Sequence, residues 1–319
     1  LGYDGTRTEL WNAIKQKFVT VDTTAPTIAP TASPAIFSPN GDGATETNRL
    51  AWTSSELITG TARIYHGTTL IRSWPFSKVN AGGVTWNGTN TAGTRVGDGT
   101  YSYRISGRDA AGNLSTQSAR VVVDRTLSTL RWSAALFFPQ DGDALAKTSR
   151  ATFKLARSAK VTVGIYHGST LVRTIWTNRA FAAGSYGWTW NGRNAAGAFV
   201  PRGHYTIRVA ATTTLGTSVL NRTVIVDAFG VSLSATTLRG GQTLTITMKT
   251  AEGLRVRPTV RFSQTGKAAI TKTAASLGGG RYRVSFTILA GGAGPAAIRI
   301  VGHDTSGGIN ATYASVSVL

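Results

Sequence analysis

The chain has 319 residues, with 34 Lys and Arg against 14 Asp and Glu, a formal net charge of +20 and no cysteine. Its length allows two to three domains, each large enough for a core of its own, and the absence of thiols excludes disulfide frameworks and Cys-ligated metals. No apolar run approaches the ~20 residues of a membrane span, and neither a signal peptide nor an initiator Met opens the sequence, so a processed or truncated product is expected.

At the N-terminus Thr6 and Glu9 have capping-box spacing, and Leu10, Trp11, Ile14 and Phe18 share one face, which predicts an amphipathic helix over residues 7–17. Its stripe is expected to pack on a neighbour and not on a membrane surface, because only Lys15 and Lys17 near its end are basic. Phe18–Pro26 reads as a strand running into a Thr/Pro hinge. Residues 1–23 are therefore expected to be a helix and linker, the tail of an upstream domain or a packing arm.

Beyond this point the chain repeats itself. Ile64-Tyr65-His66-Gly67 recurs as Ile165-Tyr166-His167-Gly168, Trp86-Asn87-Gly88 as Trp190-Asn191-Gly192, and the segment opening at Tyr101 as that opening at Tyr205. A period of about one hundred residues marks a duplicated domain and not a solenoid repeat. Thr61–Tyr65, Tyr101–Ile105, Val161–Tyr166 and Tyr205–Val209 place apolar residues at every second position, as strands of a half-buried sheet do, with Gly, Asn and Asp clusters expected to close a strand about every ten residues. Short strands without intervening helices predict β-sandwiches. Val121–Asp124 and Val224–Asp227 read as the last strands of two of them, with joints near Arg125 and Ala228. The remainder, from Ala228 to Leu319, lacks the Trp-Asn-Gly anchor but alternates at Gln242–Met248, Arg281–Phe286, Ala297–Gly302 and Tyr313–Val318. A third, diverged sandwich is expected there.

Phe37-Ser38-Pro39-Asn40-Gly41-Asp42-Gly43, the Ile-Tyr-His-Gly strand end, Leu-Ile-Arg or Leu-Val-Arg, Trp-Asn-Gly, Ala-Gly and Gly-Thr-Tyr, in that order, resemble the Ig-like module named after the flagellar hook-cap protein FlgD. The resemblance spans about residues 25–227 in two copies. The second departs at its start, where Phe138-Pro139-Gln140-Asp141-Gly142-Asp143 replaces the Ser-Pro-Asn-Gly-Asp-Gly pattern. The run from Val21 to Thr27 resembles the joint between tandem bacterial Ig-like repeats, which implies that another module precedes Leu1. The expected fold is all-β: three tandem Ig-like or fibronectin III-like β-sandwiches at 24–125, 126–227 and 228–319, with a short N-terminal helix.

The motifs have structural explanations. Trp86 and Trp190 supply large buried areas at strand ends, and Asn87-Gly88 and Asn191-Gly192 read as hairpin turns in which both residues accept positive φ. Together with Tyr101 and Tyr205 these are the expected structural anchors, core placement being favoured over carbohydrate stacking. Asn40, Asp42 and Glu46 offer oxygens to calcium in a Gly-rich turn, but two carboxylates and an amide fall short of six to eight ligands, and the second copy fits less well. No other cofactor is expected. His66, His167, His204 and His303 are scattered, and no P-loop, nucleophile elbow or dinucleotide fingerprint is present, so no catalytic site is expected.

Charge is uneven. Residues 24–125 carry +3, residues 126–227 carry +9 and residues 228–319 carry +8. Such a field draws in polyanions without constituting a site, and solvent-facing decoration explains it equally well. The expected role is a non-catalytic structural or adhesive array of a secreted or surface bacterial protein, acting as stiff spacer, assembly subunit or envelope attachment. Its expected partners are anionic envelope polymers or neighbouring subunits. The alternative is the accessory region of a secreted cell-wall or polysaccharide hydrolase whose catalytic domain precedes Leu1. Specific nucleic-acid binding is disfavoured, because no recognition helix or exposed aromatic platform accompanies the basic residues.

Overall fold

The computed structural model describes residues 21–319, and the helix expected over residues 7–17 lies outside them. Among the described residues every regular element is a strand, and the chain divides into two compact units at Arg125/Thr126. Val21–Thr27, the expected end of a strand and its hinge, has no regular structure.

In the first unit, Ile28–Ser33 pairs antiparallel with the first half of the 19-residue strand Asn48–His66. The second half of that strand pairs with Gly99–Arg108, which pairs with Leu114–Val123. Ile36–Phe37 closes the sheet parallel to Val122–Val123. Thr69–Trp86 runs antiparallel beside most of Asn48–His66, with register shifts between Thr53 and Gly60. The expected ten-residue strand spacing therefore fails here. The bulged region lets one continuous strand turn from one sheet face to the other instead of ending.

The second unit shows the same path with the turns made explicit. Leu127–Trp132, Ser149–Leu155 and Gly184–Trp190 form one sheet. Thr170–Phe181, Ala159–His167, Gly203–Thr213, Gly216–Val226 and Leu136–Phe137 form the other. What was one strand in the first unit is here broken at Ala156–Ser158. From Phe229 onward a four-stranded sheet, Phe229–Leu233, Thr243–Thr250, Arg281–Thr287 and Ala275–Gly278, faces a five-stranded one. The latter is made of Thr237–Leu238, Ile309–Val318, Gly294–His303, Thr259–Ser263 and Ile270–Thr273. Again a short parallel pair, Thr237–Leu238 with Ser317–Val318, closes it.

Alternation explains each core. Tyr101, Tyr103 and Ile105 are buried while Thr100 and Arg104 are exposed, and Leu244, Ile246 and Met248 are buried while Thr243 and Lys249 are exposed. Within the second unit the two sandwiches are continuous. Phe138, which follows the strand Leu136–Phe137, is 2% exposed and belongs to the core cluster of the sandwich that starts at Phe229, which also holds Ala228 and Phe229.

Candidate functional site: the anchored turns and an acidic joint

Trp86 and Trp190 are both fully buried. Each indole Nε1 donates to a carbonyl three residues on, Thr89 O at 2.8 Å and Arg193 O at 3.0 Å. Each ring packs edge-on against a tyrosine at 5.2 Å, Tyr101 and Tyr205 respectively. The tyrosine hydroxyls donate to carbonyls four residues upstream, Gly97 O at 2.7 Å and Pro201 O at 2.6 Å, which is the tyrosine corner of Ig-type sandwiches. Burial raises the pKa of both phenols. His66 and His167 lie 4.9 Å from the same two rings, so both repeat-turn histidines are packing partners of the corner.

The hairpin expectation for Asn87-Gly88 and Asn191-Gly192 needs correction. Only the glycines have positive φ, 73° at Gly88 and 68° at Gly192, and both asparagines are exposed. A Cβ on Gly88 would stand 2.8 Å from Pro39, and one on Gly192 2.5 Å from Pro139. The chain then continues through a longer loop braced by the isolated bridges Thr89–Arg95 and Arg193–Phe199. These glycines seat the proline of the turn opposite, which a two-residue hairpin would not require.

That turn holds the calcium candidates of the first copy, and it is organised by its own hydrogen bonds. The Glu46 carboxylate accepts the amides of Gly41, at 2.9 Å, and Gly43, at 3.1 Å. Asn40 Oδ1 accepts the Asp42 amide at 2.9 Å, and Asp42 Oδ1 the Ala44 amide at 3.0 Å. The oxygens of Asn40, Asp42 and Glu46 thus accept from backbone amides, and Asp42 Oδ2 accepts in addition from Asn40 Nδ2 at 3.3 Å.

The turn of the second copy is built differently. Asp141 Oδ1 accepts the Asp143 amide and Asp143 Oδ1 the Leu145 amide, which leaves both Oδ2 atoms buried without a partner. Across the joint stand Glu252, 5% exposed, and Asp304, 0% exposed. These four carboxylates bring oxygens within 4.8 Å of one another. Glu252 follows the residue whose amide reaches back to Ala228 O, and Asp304 opens the loop before the last strand, where its Oδ1 accepts the Ser306 and Gly308 amides. Burial, with the like charges of Asp141, Asp143 and Asp304 added, pushes the Glu252 carboxyl up to about 7 against the lowering hydrogen bond from Asn310. Burial likewise raises Asp141, with Asp143 and Asp304 adding to it.

Beside this cluster Asp227 Oδ1 accepts the Thr312 hydroxyl at 2.5 Å and the Ala228 amide at 2.7 Å. Arg202 stands 3.7 Å from Asp227, lies 4.8 Å over the Phe138 ring and donates to the Ala311 carbonyl. Sequence reading missed Glu252, Asp304, Asn310 and Arg202. The available signal was scarcity: residues 126–319 contain only five acidic side chains, and four of them meet here.

Among the described residues neither acidic group that could hold a metal includes a histidine. The open depression lined by Tyr166, Thr206, Arg208 and Asn221 carries no carboxylate or histidine. Part of the positive charge is committed to aromatic faces, as in Arg193 over Phe199 at 3.7 Å and Arg104 over Tyr65 at 4.7 Å. Among the described residues no helix is long and apolar enough to cross a membrane.

Paired sheets closed by short parallel strands, with tyrosine corners in two of the three sandwiches, define Ig-like modules. The family model of the FlgD Ig-like domain matches residues 142–214. No curated protein sequence matches the chain. Among solved structures, a tetra-tandem repeat from the extending region of a large adhesion protein is 16% identical, over 93% of this chain and 75% of that one, with a TM-score of 0.26. A structure from a 1.5-MDa bacterial ice-binding adhesin is 15% identical over 93% and 99%, with a TM-score of 0.25. Escherichia coli α2-macroglobulin activated by porcine elastase is 12% identical over 92% of this chain and 32% of that one, with a TM-score of 0.28.

Proposed function

We propose that the chain is a non-catalytic structural array of Ig-like modules, two of them FlgD-type at 24–125 and 126–227 and a diverged third at 228–319, acting as a stiff spacer or attachment segment of an extracellular or cell-surface protein. The observation that carries this reading is the joint between Val226, the last residue of one sandwich, and Phe229, the first strand residue of the next. No residue there is left to act as a tether. Asp227 is tied to Thr312, Ala228 O accepts the Ala251 amide, and Phe138 reaches from the earlier sandwich into the later core. Loss of backbone freedom across such a joint costs on the order of 1–2 kcal/mol per residue, which burial of Phe138 and Ala228 offsets.

The duplicated motifs support the same reading, since Trp, Asn-Gly, Tyr and His are used up in packing and turn formation. The excess of Lys and Arg after residue 125 favours anionic envelope polymers as the surface to which the array attaches. Backbone ¹⁵N relaxation on the full chain tests the stiffness. Residues 126–227 and 228–319 are expected to report one rotational diffusion tensor; two independent tensors would sink the spacer reading.

A further inference from the structure

We infer that the joint between the sandwiches of residues 126–227 and 228–319 is a binding site for a hard divalent cation of the calcium class, held by Asp141, Asp143, Glu252 and Asp304 with Asn310 in support. The site stands on side-chain geometry within one compact unit; only its consequence, a cross-linked joint, rests on the spacer reading above.

The first observation is how each carboxylate is satisfied. Asp141, Asp143 and Asp304 each accept backbone amides at Oδ1, and Glu252 Oε2 accepts from Asn310 Nδ2 at 2.7 Å. In all four the second oxygen is buried and has no hydrogen-bond partner. One oxygen orients the side chain and the other is left over, four times in one place. Buried acceptors left unsatisfied carry a desolvation penalty, and buried charges are ordinarily paired or bound to metal.

The second observation is independent of the acids. Asn310 is fully buried, holds Glu252 through Nδ2 and leaves its own Oδ1 without a partner. Around the cluster backbone space is also reserved: a Cβ on Gly308 would stand 2.3 Å from Asp304 Oδ2.

The third is the lack of a protein cation. Residues 126–319 contain 22 Lys and Arg, yet none forms a salt bridge with these four carboxylates, and Arg202 pairs instead with the fifth acid, Asp227. A chain with so much positive charge gathers four negative charges and supplies no counterion from its own side chains. The register sharpens the point. Ala156 N bonds to Thr126 O as Ala251 N bonds to Ala228 O, so Arg157 occupies in the preceding sandwich the place that Glu252 occupies here.

The donor set selects the ion. All five available atoms are carboxylate or amide oxygens, which excludes the soft and imidazole-preferring metals and suits calcium, whose six to eight ligands tolerate irregular geometry and water completion. Magnesium, which demands a near-ideal octahedron, is expected to bind at least tenfold more weakly. Asp141 and Asp143 come from one sandwich, and Glu252, Asp304 and Asn310 from the next, so the bound ion spans the joint.

The test is calorimetric titration of CaCl₂ into the full chain after treatment with EDTA. One ion per chain with Kd at or below about 1 mM is expected, weakened at least tenfold in Glu252→Gln and in Asp141→Asn/Asp143→Asn. The double variant keeps the turn's amide contacts, so it guards against loss of fold, which the Phe138 environment reports by near-UV dichroism. Absence of binding in this range, unchanged affinity in the folded double variant, or magnesium binding as tightly as calcium would each overturn the assignment. Independent tumbling of 126–227 and 228–319 in EDTA that calcium abolishes would uphold the site and reject a joint that is stiff by its own packing; independent tumbling with calcium bound would overturn the site itself.

Discussion

The corresponding turn occurs in both sequence repeats with opposite outcomes. In Ser38–Glu46 the acidic and amide oxygens are turned inward: Glu46 caps the Gly41 and Gly43 amides, and Asn40 and Asp42 bond to the turn itself. In Phe138–Asp143 the first residue leaves its own sandwich for the next core, and both aspartates keep an oxygen in reserve. The residues that break the shared pattern are those that engage the next sandwich. Departure from a repeat motif, more than adherence to it, marks where this chain does something besides fold.

The largest effect should come from the residue that makes the crossing. Phe138→Ala removes a ring that is 2% exposed inside the following core and should cost about 3–5 kcal/mol. Because the ring belongs to one sandwich by sequence and to the other by packing, its loss should also split the unfolding of residues 126–319 into two transitions in a guanidinium titration followed by Trp fluorescence. A single transition with an unchanged midpoint would show that the two sandwiches are coupled by something else.

A smaller, pH-dependent effect follows from Glu252. Its carboxyl titrates at about 7 in the fold against 4.5 in the unfolded chain, so the folded state holds the proton more tightly. The stability this contributes is complete below pH 4.5 and is lost as pH rises through about 7. In EDTA the Tm should therefore fall across this window, and Glu252→Gln should flatten the fall and raise the Tm near pH 8, since Asn310 Nδ2 can still donate to the amide oxygen. With calcium present the sign reverses, because the ion needs the deprotonated carboxylate and its stabilisation grows with pH. A Glu252→Gln protein that melts below wild type in EDTA near pH 8 would contradict an account in which burial, with like charges added, disfavours the carboxylate.

The strands and anchors were legible because they depend on local pattern. Alternation over Tyr101–Ile105 or Tyr205–Val209 fixes which side chains are buried, and a Trp followed by Asn-Gly can be read wherever it stands. The continuous course of Asn48–His66 was hidden, because strands were expected to close about every ten residues, whereas the stretch between Thr53 and Gly60 is bulged and supported by the neighbouring strand Thr69–Trp86. The acidic site was hidden for a different reason. Asp143 and Glu252 are more than one hundred positions apart, neither lies in a ligand motif, and their meeting depends on how one sandwich abuts the next. Asn40, Asp42 and Glu46 offered the right ligand types in a Gly-rich turn but too few of them, and backbone amides bond to their oxygens.

The smallest effect is expected where the first unit repeats half of the acidic site. Ser55 N bonds to Thr27 O as Ala251 N bonds to Ala228 O, so Glu56 corresponds to Glu252; Asp109 N bonds to Asn113 O as Asp304 N bonds to Gly308 O, so Asp109 corresponds to Asp304. Asp22 completes a group of three carboxylates there. What differs is satisfaction. Asp109 accepts both the amide and the Nδ2 of Asn113, and although burial works to raise its pKa these bonds outweigh it and lower the carboxyl. Asp22 is exposed and accepts the Thr24 amide, and neither it nor Glu56 holds a buried oxygen without a partner. Solvent can therefore serve these groups, and an ion gains little by replacing it. Burial and the charges of Asp109 and Asp22 raise the Glu56 carboxyl, so Glu56→Gln should not lower the melting temperature near pH 8, and it should leave the calcium isotherm unchanged, with one ion still bound per chain. A fall in stoichiometry on this substitution would show that the acidic pair suffices by itself, and that the unpaired oxygens of Asp141 and Asp143 are not what distinguishes the second unit.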